Sequence, residues 1–500
     1  MPTNPMRLSV REKLGYGLSD AATNFFFMSM IFYQQRYYTD VVGLASSVVG
    51  FLFIGVRLVD AIADPVIGAL ADRTHTRWGK FRPWLLFTAL PFGLLFWLSY
   101  SVPNVSGPWK LVYASVTYLL LMVAYSCNNT PYAALTGVMT AEPAERTSIS
   151  CYRLFLAIVG QLIITTFVLT LVAKIGAGDA AKGWSRTIGI FAVAIVIFNV
   201  VAFAVTRERV QPDPQQKLSL KHIFSDVLTC RPWLVMFGLT LLVFTMLPLR
   251  GSAFNYYFGY YLDQPRLAQF IVSIGLGSSV NEQVTPWQWT LDLFGLRLAP
   301  DGSNAAAAGF SLFNMLSILL QICGILFSSV LANRFGKKRV FIVGLGLTAL
   351  VTGAVILVPP QAIGMTFLLG GLWGLCYGPT IPLLWSMIAD VPDYAEWQTS
   401  RRATGFAYAG IVFALKAGLG LGGALGGWLL AAYGYVANSA QTPLALRGIR
   451  LSASIFPAAP LLIGVLVLLA YPITRELGLR IRDELAERRK RYIHGVARHV

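Results

Sequence analysis

The sequence predicts an all-α membrane protein with twelve transmembrane helices in two six-helix pseudo-repeats. Three observations carry that expectation: the composition, a train of long apolar segments, and a loop pattern that recurs in the second half of the chain. Of the 500 residues, 56% are hydrophobic and only 13% charged, which lies outside the range of soluble domains. Apolar stretches of about 20 residues, each long enough to cross a hydrocarbon core of roughly 30 Å as a helix, fill most of the chain. They leave no room for a large soluble domain, and a soluble enzyme is excluded. Strands of a membrane barrel alternate in polarity, whereas Leu154 to Val172 is apolar on every face with only scattered polar residues.

The spans are read at residues 14–38, 47–71, 83–101, 111–138, 154–173, 187–206, 232–262, 308–331, 338–358, 363–389, 404–431 and 452–473. The first carries Asp20 and no clear small-residue cleavage site, so it is expected to be a retained helix. Residues 207–231 form the longest polar segment between spans on the inward side and contain Gln-Pro-Asp-Pro at 211–214. They divide an N-terminal bundle, residues 1–206, from a C-terminal bundle, residues 232–473. The halves echo each other. The second span ends Gly68-Ala-Leu-Ala-Asp72-Arg73 with Gly79-Lys80 following, and the eighth ends Leu331-Ala-Asn333-Arg334-Phe-Gly336-Lys337. Such a match at corresponding positions is what parallel repeats predict. Residues 263–307 are too long for an ordinary connection. With the apolar run Phe270 to Leu276, Trp287 and Trp289, they read as an outward cap or interfacial insertion. The tail, 474–500, reads either as an amphipathic basic helix near anionic headgroups of membrane lipid or as a solvated basic segment.

The net charge of +17 is not spread evenly. Most of the 40 Lys and Arg fall in the N-terminal segment, the alternate loops and the tail, while Arg36, Arg57, Arg250 and Lys416 lie within spans. That bias is the positive-inside rule; it predicts a multi-pass protein of the cell (inner) membrane with both termini in the cytoplasm. There is no soluble basic face for nucleic acid, so no such partner is expected. The cysteines Cys127, Cys151, Cys230, Cys323 and Cys376 show neither a disulfide framework nor a metal pattern.

An ionised side chain at mid-membrane costs about 2.5 to 3.5 kcal/mol on insertion scales, so each one needs a partner or a purpose. Arg57, Asp60 and Asp64 share one stripe of the second span, with the two carboxylates roughly 6 Å apart at their β-carbons. Carboxylates that close repel unless a cation, a proton or Arg57 sits among them, which is the chemistry of a coupling-ion site. A static Arg57 to Asp60 pair is the plainer alternative, and it leaves Asp64 unexplained. Tyr16, Asp20 and Asn24 share a face of the first span, suited to accepting sugar hydroxyls and stacking on a sugar ring; polar contacts between helices are the alternative. In the fourth span Ser126, Asn128, Asn129 and Tyr132 surround Pro131, either as a discontinuity that turns carbonyls to a cavity or as a proline kink. Arg153 opens the fifth. Lys416, near the middle of the eleventh, needs a carboxylate, and the strongest candidates are Asp60, Asp64 and Asp20 in the other half. Arg250, in the long seventh span, is placed near the outer surface without a role.

Four segments resemble motifs of the glycoside-pentoside-hexuronide:cation symporters of the major facilitator superfamily: Tyr37-Tyr-Thr-Asp40-Val-Val-Gly43, Arg57-Leu-Val-Asp60-Ala-Ile-Ala-Asp64-Pro65, Arg77-Trp-Gly-Lys-Phe-Arg-Pro-Trp84 and Ala389-Asp390-Val-Pro-Asp393-Tyr-Ala-Glu396. The resemblance covers nearly the whole chain. It implies the major facilitator fold, alternating access, and symport of a sugar with Na⁺, Li⁺ or H⁺. It also implies that Asp60 and Asp64 are cation carboxylates, Arg57 their neighbouring arginine, Arg153 a sugar-site arginine and Lys416 a cavity lysine. Asn24 and Asn129 stand where melibiose-type members have aspartates, and Ala133 where they have a tryptophan, which separates this chain from galactoside specificity. Losing the acid at 129 removes a negative charge from the cation site. Ser126 and the Asn129 amide could supply neutral oxygens to Na⁺ beside Asp60 and Asp64.

The expected substrate ligands are therefore Tyr16, Asp20, Asn24, Asn128, Asn129 and Arg153; the expected cation ligands are Asp60, Asp64, Ser126 and Asn129; Arg57 and Lys416 couple the charges. Na⁺ is favoured over H⁺ as the coupling ion, because two nearby cations keep both acids ionised. No other cofactor is expected, and a monomer is. The competing readings are a lysolipid-type carrier of the same superfamily and a non-transporting membrane receptor or scaffold, which would have no use for Asp60, Asp64 and Lys416 together. No nucleotide-binding loop is present to drive transport with ATP.

Overall fold

A computed structural model describes residues 8–101, 103, 105, 107–140, 142–209, 230–277, 285–399 and 404–496. Helix α1, Val10–Ser29, starts at a capping box in which Ser9 Oγ takes the Glu12 N–H and the Glu12 carboxylate returns to the Ser9 N–H. Two π-helical turns, Met30–Gln34 and Tyr37–Val41, carry it on to the far end of the bundle. The first half continues with α2 (Ser46–Arg73), α3 (Arg82–Ser99), α4 (Gly107–Met139), α5 (Pro143–Gly176) and α6 (Ala180–Val205). The second half opens with α7 (Arg231–Tyr256), which ends in another π turn, Tyr257–Tyr261. There follow α8 (Gln264–Ile271), α9 (Pro286–Leu293), α10 (Ala305–Phe335), α11 (Lys337–Ala354), α12 (Ile363–Tyr377), α13 (Thr380–Thr399), α14 (Thr404–Ala432), α15 (Pro443–Ala453), α16 (Ile455–Leu469) and α17 (Arg475–Val496). Ten helical stretches among the described residues are long and apolar enough to cross a membrane. With α1, which carries Asp20, and α2, which carries Arg57, Asp60 and Asp64, the spans number twelve.

Several boundaries differ from the sequence reading. The helix of the fifth span begins at Pro143, ahead of the span start read at 154, because proline suits the first turn of a helix and leaves no N–H unpaired there. The tenth is two helices, α12 and α13, broken at Gly378-Pro379, and the twelfth is α15 and α16, bent at Ser454. Helix α4 runs unbroken through Pro131, so of the two readings open for this stretch the discontinuity is absent and the proline sits within a continuous helix. Of the segment 207–231, residues 210–229 lie outside the described residues. The tail forms α17, and residues 497–500 lie outside the description.

The repeat is visible in the backbone. Gly79 after α2 and Gly336 after α10 both have positive φ, +111° and +87°, so each loop needs a residue without a Cβ penalty. α1 packs along α5 and α6, and α3 along α4 and α6; in the second half α10 packs on α12, and α7 on α14 and α16. Between the halves α2 lies against α14 and α5 against α10. Gly427 of α14 allows that approach, since a methyl group there would sit 2.5 Å from the Ser46 carbonyl oxygen.

The far end, away from the termini, is closed by contacts between the halves. The Asp40 carboxylate accepts from Arg36 of its own helix (3.2 Å) and from Tyr260 (3.0 Å) and Tyr435 (2.6 Å) of the other half. Arg36 also donates to the Asn255 side chain, and the hydroxyls of Thr39 and Tyr256 pair at 2.8 Å. The insertion adds to this cap: Phe294 stacks on Phe167 of α5 with centroids 4.3 Å apart, and Lys174 donates to the Asp292 carbonyl.

Candidate functional site

Two charged clusters lie at mid-bundle. In the first, spacings of three and four on α2 put Arg57, Asp60 and Asp64 on one stripe, and α14 brings Lys416 to it from the other half. Lys416 Nζ lies 3.1 Å from Asp60 Oδ2 and forms a second ion pair with Asp64. Arg57 Nη1 reaches Asp60 at 3.4 Å and its Nη2 contacts Met30 Sδ at 2.6 Å. Ser126 of α4 donates to Asp60 Oδ1 at 2.7 Å and accepts from Lys416 at 3.3 Å. Asp60 is wholly buried, whereas the Asp64 side chain keeps 22% exposure and its Oδ1 has no hydrogen-bond partner. Two cations thus balance two carboxylates, which is what makes so much buried charge tolerable. Asn129, one turn beyond Ser126 on α4, is half-buried on the same side.

In the second cluster Arg153 of α5 crosses to α1. Its Nε donates to Asp20 Oδ2 at 2.6 Å, and Nη1 reaches Thr136 at 3.3 Å. The guanidinium lies over two rings, 4.9 Å from the centroid of Tyr132 and 5.5 Å from that of Tyr16, and these rings stack on each other at 4.4 Å. The Tyr16 hydroxyl donates to the Tyr132 carbonyl at 2.6 Å and pairs with Thr136 at 2.7 Å. Tyr16 is fully buried, so it holds Arg153 in place and does not offer a face to a ligand, contrary to the expectation for it. Asn24 donates to the Asp20 carbonyl at 2.9 Å and stays half-buried beside it.

Asn128 is not in either cluster. Its amide donates to Thr88 Oγ1 of α3 at 2.8 Å and the residue is fully buried. One position on a helix is a turn of about 100°, so Asn128 and Asn129 cannot share a face. Arg250 is also not where the sequence reading put it: it is buried among aromatic rings at 6% exposure, away from the surface. Sequence reasoning passed over Tyr132 and Thr136 as ring and hydroxyl support for Arg153, though both lie one turn apart on α4. It also missed Tyr125, whose ring lies 6.0 Å from Lys416 Nζ.

Comparison with known proteins identifies the family and the fold. A family model described as MFS/sugar transport protein matches residues 15–296 and 302–475. The inner membrane symporter YicJ of Escherichia coli (strain K12) is 33% identical over 97% of this chain and 96% of its own. The putative glycoside/cation symporter YagG of the same organism is 33% identical over 94% and 93%. Among solved structures, a bacterial homolog of the human lysosomal transporter Spinster, inward-facing and unoccupied, superposes with a TM-score of 0.62 at 13% identity, covering 96% of this chain and 99% of that one. That likeness shows the fold; the sequence matches show the family. This multi-pass membrane protein is a transporter and not an enzyme, and it belongs to the MFS/sugar transport family, in its glycoside-pentoside-hexuronide:cation symporter branch.

Proposed function

We propose that the protein carries a sugar inward with a coupling cation, by alternating access of its two bundles. One observation carries the reading: Lys416 of the second half occupies the space between Asp60 and Asp64 of the first. Its ammonium stands where a coupling cation would, so cation entry must displace it, and displacement loosens a contact between the bundles. Asp20, Arg153, Asn24 and Asn129 form the sugar-binding group, with carboxylate, guanidinium and amides matched to hydroxyls. Ser126 and the free Oδ1 of Asp64 complete an oxygen set for Na⁺, which is the favoured ion.

With the termini in the cytoplasm of the inner membrane, the end sealed by Asp40 is the outer one. The exposure left to Arg153 (28%) and Asp64 (22%) supports an inward-facing state. The carrier works as a monomer, with α17 near anionic lipid headgroups. The test is counterflow in proteoliposomes: a panel of labelled glycosides, pentosides and hexuronides is offered against the same unlabelled sugars inside. Exchange of at least one sugar, faster with Na⁺, is expected. No exchange of any of them would reject the reading.

A further inference from the structure

Gln35, on α1 between its two π turns, is 2% exposed, and neither its amide nitrogen nor its amide oxygen has a hydrogen-bond partner. A primary amide carries two donors and an acceptor, and burying them unpaired costs free energy. The side chain borders a void of about 20 Å³ between the two halves, room for one water molecule. Arg57, Phe53 and Tyr118 of the first half share its wall, and Pro248 and Leu419 of the second face them. The rings of Phe53 and Tyr118 meet edge to face with centroids 5.6 Å apart.

Helix α14 is shaped to cover these side chains. A methyl group on Gly420 would sit 2.8 Å from the Arg57 stem, one on Gly423 2.8 Å from the Phe53 ring, and one on Gly426 2.7 Å from the Gln35 amide oxygen. Closing the outer end therefore stows Arg57, Phe53 and Gln35 against α14, and withdrawal of α14 uncovers all three together. The void lies on the outer side of the ion cluster. Gln35 is five residues short of Asp40, and Arg57 borders the void while its Nη1 reaches Asp60 at 3.4 Å. A guanidinium in the wall disfavours a metal cation, so the void does not suit the coupling ion. It suits a neutral sugar: the amide oxygen accepts from a hydroxyl, the amide and guanidinium N–H groups donate to others, and the rings cover the C–H faces.

We infer that this void is an outer sugar-binding position, which takes shape when the halves part below Asp40, and that Gln35 is its principal hydroxyl ligand. It is distinct from the group around Asp20 and Arg153. Fifteen residues of α1 separate Asp20 from Gln35, roughly 20 Å at the helical rise, further than one sugar ring can bridge. The inference rests on the sugar-transport reading and adds to it a first stop on the way in, weaker than the inner group and abolished when α14 folds back over Gln35.

The experiment uses the full-length protein with its native cysteines replaced, in right-side-out membrane vesicles. Leu419→Cys places a reporter on the wall of the void, read as its rate of modification by an impermeant thiol reagent applied from outside. Methyl glucoside, methyl xyloside and methyl galactoside are added outside in turn, and any that exchanges in counterflow should slow the reaction. Gln35→Leu, a swap of similar size that removes the unpaired amide, should raise the sugar concentration for half-protection at least about fivefold, as expected for loss of hydrogen bonds of modest strength. Its sugar-free Tm should equal or exceed the wild type's, and a lower Tm would assign Gln35 to packing and overturn its role as a ligand. Asp20→Asn, which leaves Gln35 untouched, should keep the half-protection concentration within about twofold of the wild type's. A reporter that stays unreactive, equal protection with and without the Gln35 amide, or protection lost in Asp20→Asn overturns the outer position, while counterflow keeps the sugar reading standing. Failure of every sugar to exchange overturns both.

Discussion

Lys416 Nζ lies 3.1 Å from Oδ2 of Asp60, and the two residues come from opposite halves of the chain. The lysine has three N–H donors, and its reach to Asp60, Asp64 and Ser126 engages them all. Under the proposed mechanism, cation binding and release of this contact are one event seen from two sides. A cation that binds without displacing Lys416 would have to share two carboxylates with two positive side chains.

Replacing the lysine separates those sides. Lys416→Gln leaves a buried pair of acids facing Arg57 alone, and breaking a buried ion pair costs about 3 to 5 kcal/mol. The variant should melt at lower temperature than the wild type in sodium-free buffer, and saturating Na⁺ should raise its Tm by more than it raises the wild type's. Equal sodium shifts in the two proteins would show that Lys416 does not compete with the ion.

Asp64→Asn tests coupling instead of stability. The substitution keeps the size of the side chain and removes one charge from the set, so cation-driven uphill accumulation should fall to the background of empty vesicles. Counterflow, which needs sugar binding and bundle movement but no ion gradient, should persist. Vesicles that still concentrate sugar with Asn at this position would exclude Asp64 from the ion site.

Asp20→Asn addresses the sugar cluster. The amide can still accept from Arg153 but loses the charge that orients it, and sugar affinity should drop by about 1.5 to 3 kcal/mol, the usual worth of a hydrogen bond to a charged group. The sodium-induced rise in Tm should stay as in the wild type, because Asp20 touches none of the ion-site residues. A variant that binds sugar normally would remove Asp20 from the substrate group.

How much of this could be read from sequence depends on how local each relationship is. The stripe of Arg57, Asp60 and Asp64 follows from helical spacing alone, and a lysine in mid-span with no acid inside the apolar spans of its own half points across to that stripe. Asn128 could not be oriented the same way, since a polar run on a helix does not say which member faces Thr88 and which faces the cleft. Pro131 was ambiguous for a related reason: whether α4 stays continuous depends on neighbours, which the sequence does not display. The pairing of Asp40 with Tyr260 and Tyr435 is a contact between residues more than 200 positions apart. Tyrosines occur throughout these spans, so nothing in the pattern marks those two. Arg250 was misplaced because a charge in a long span is naturally assigned to the polar end, and its aromatic surroundings are assembled from three helices.

The Asp40 contacts bear on which end of the transporter is open. Tyr435→Phe removes a 2.6 Å hydrogen bond to a carboxylate, and Asp40→Asn weakens all its partners at once. If each lost charge-assisted bond is worth about 1.5 kcal/mol or more, Asp40→Asn should shift the balance toward opening at that end by a factor of ten or greater. Ser252→Cys, placed in the buried region below the seal, reports this as its rate of modification by an impermeant thiol reagent applied from outside. The rate should rise at least several-fold in the Asp40→Asn background after the native cysteines are replaced. An unchanged rate would mean the network only packs the ends together.

The choice of ion turns on the surroundings of Asp64. Its Oδ1 has no hydrogen-bond partner, and Asp60 Oδ1, Ser126 Oγ and the half-buried Asn129 amide come from adjoining stretches of α2 and α4. A proton would need only one of these atoms; a Na⁺ ion would need most of them. Arg57 and Lys416 already set two positive charges beside these two carboxylates, so a metal cation that takes the place of Lys416 keeps that charge balance. In vesicles with no pH gradient, an imposed Na⁺ gradient should therefore drive accumulation of the sugar found in the counterflow panel, and Ser126→Ala should raise the Na⁺ concentration needed for half-maximal uptake by about fivefold or more, as expected for loss of one neutral oxygen ligand of modest strength. Accumulation driven by an imposed pH gradient in sodium-free vesicles, with no response to Na⁺, would assign the coupling to protons and make the free Oδ1 of Asp64 the atom that carries them.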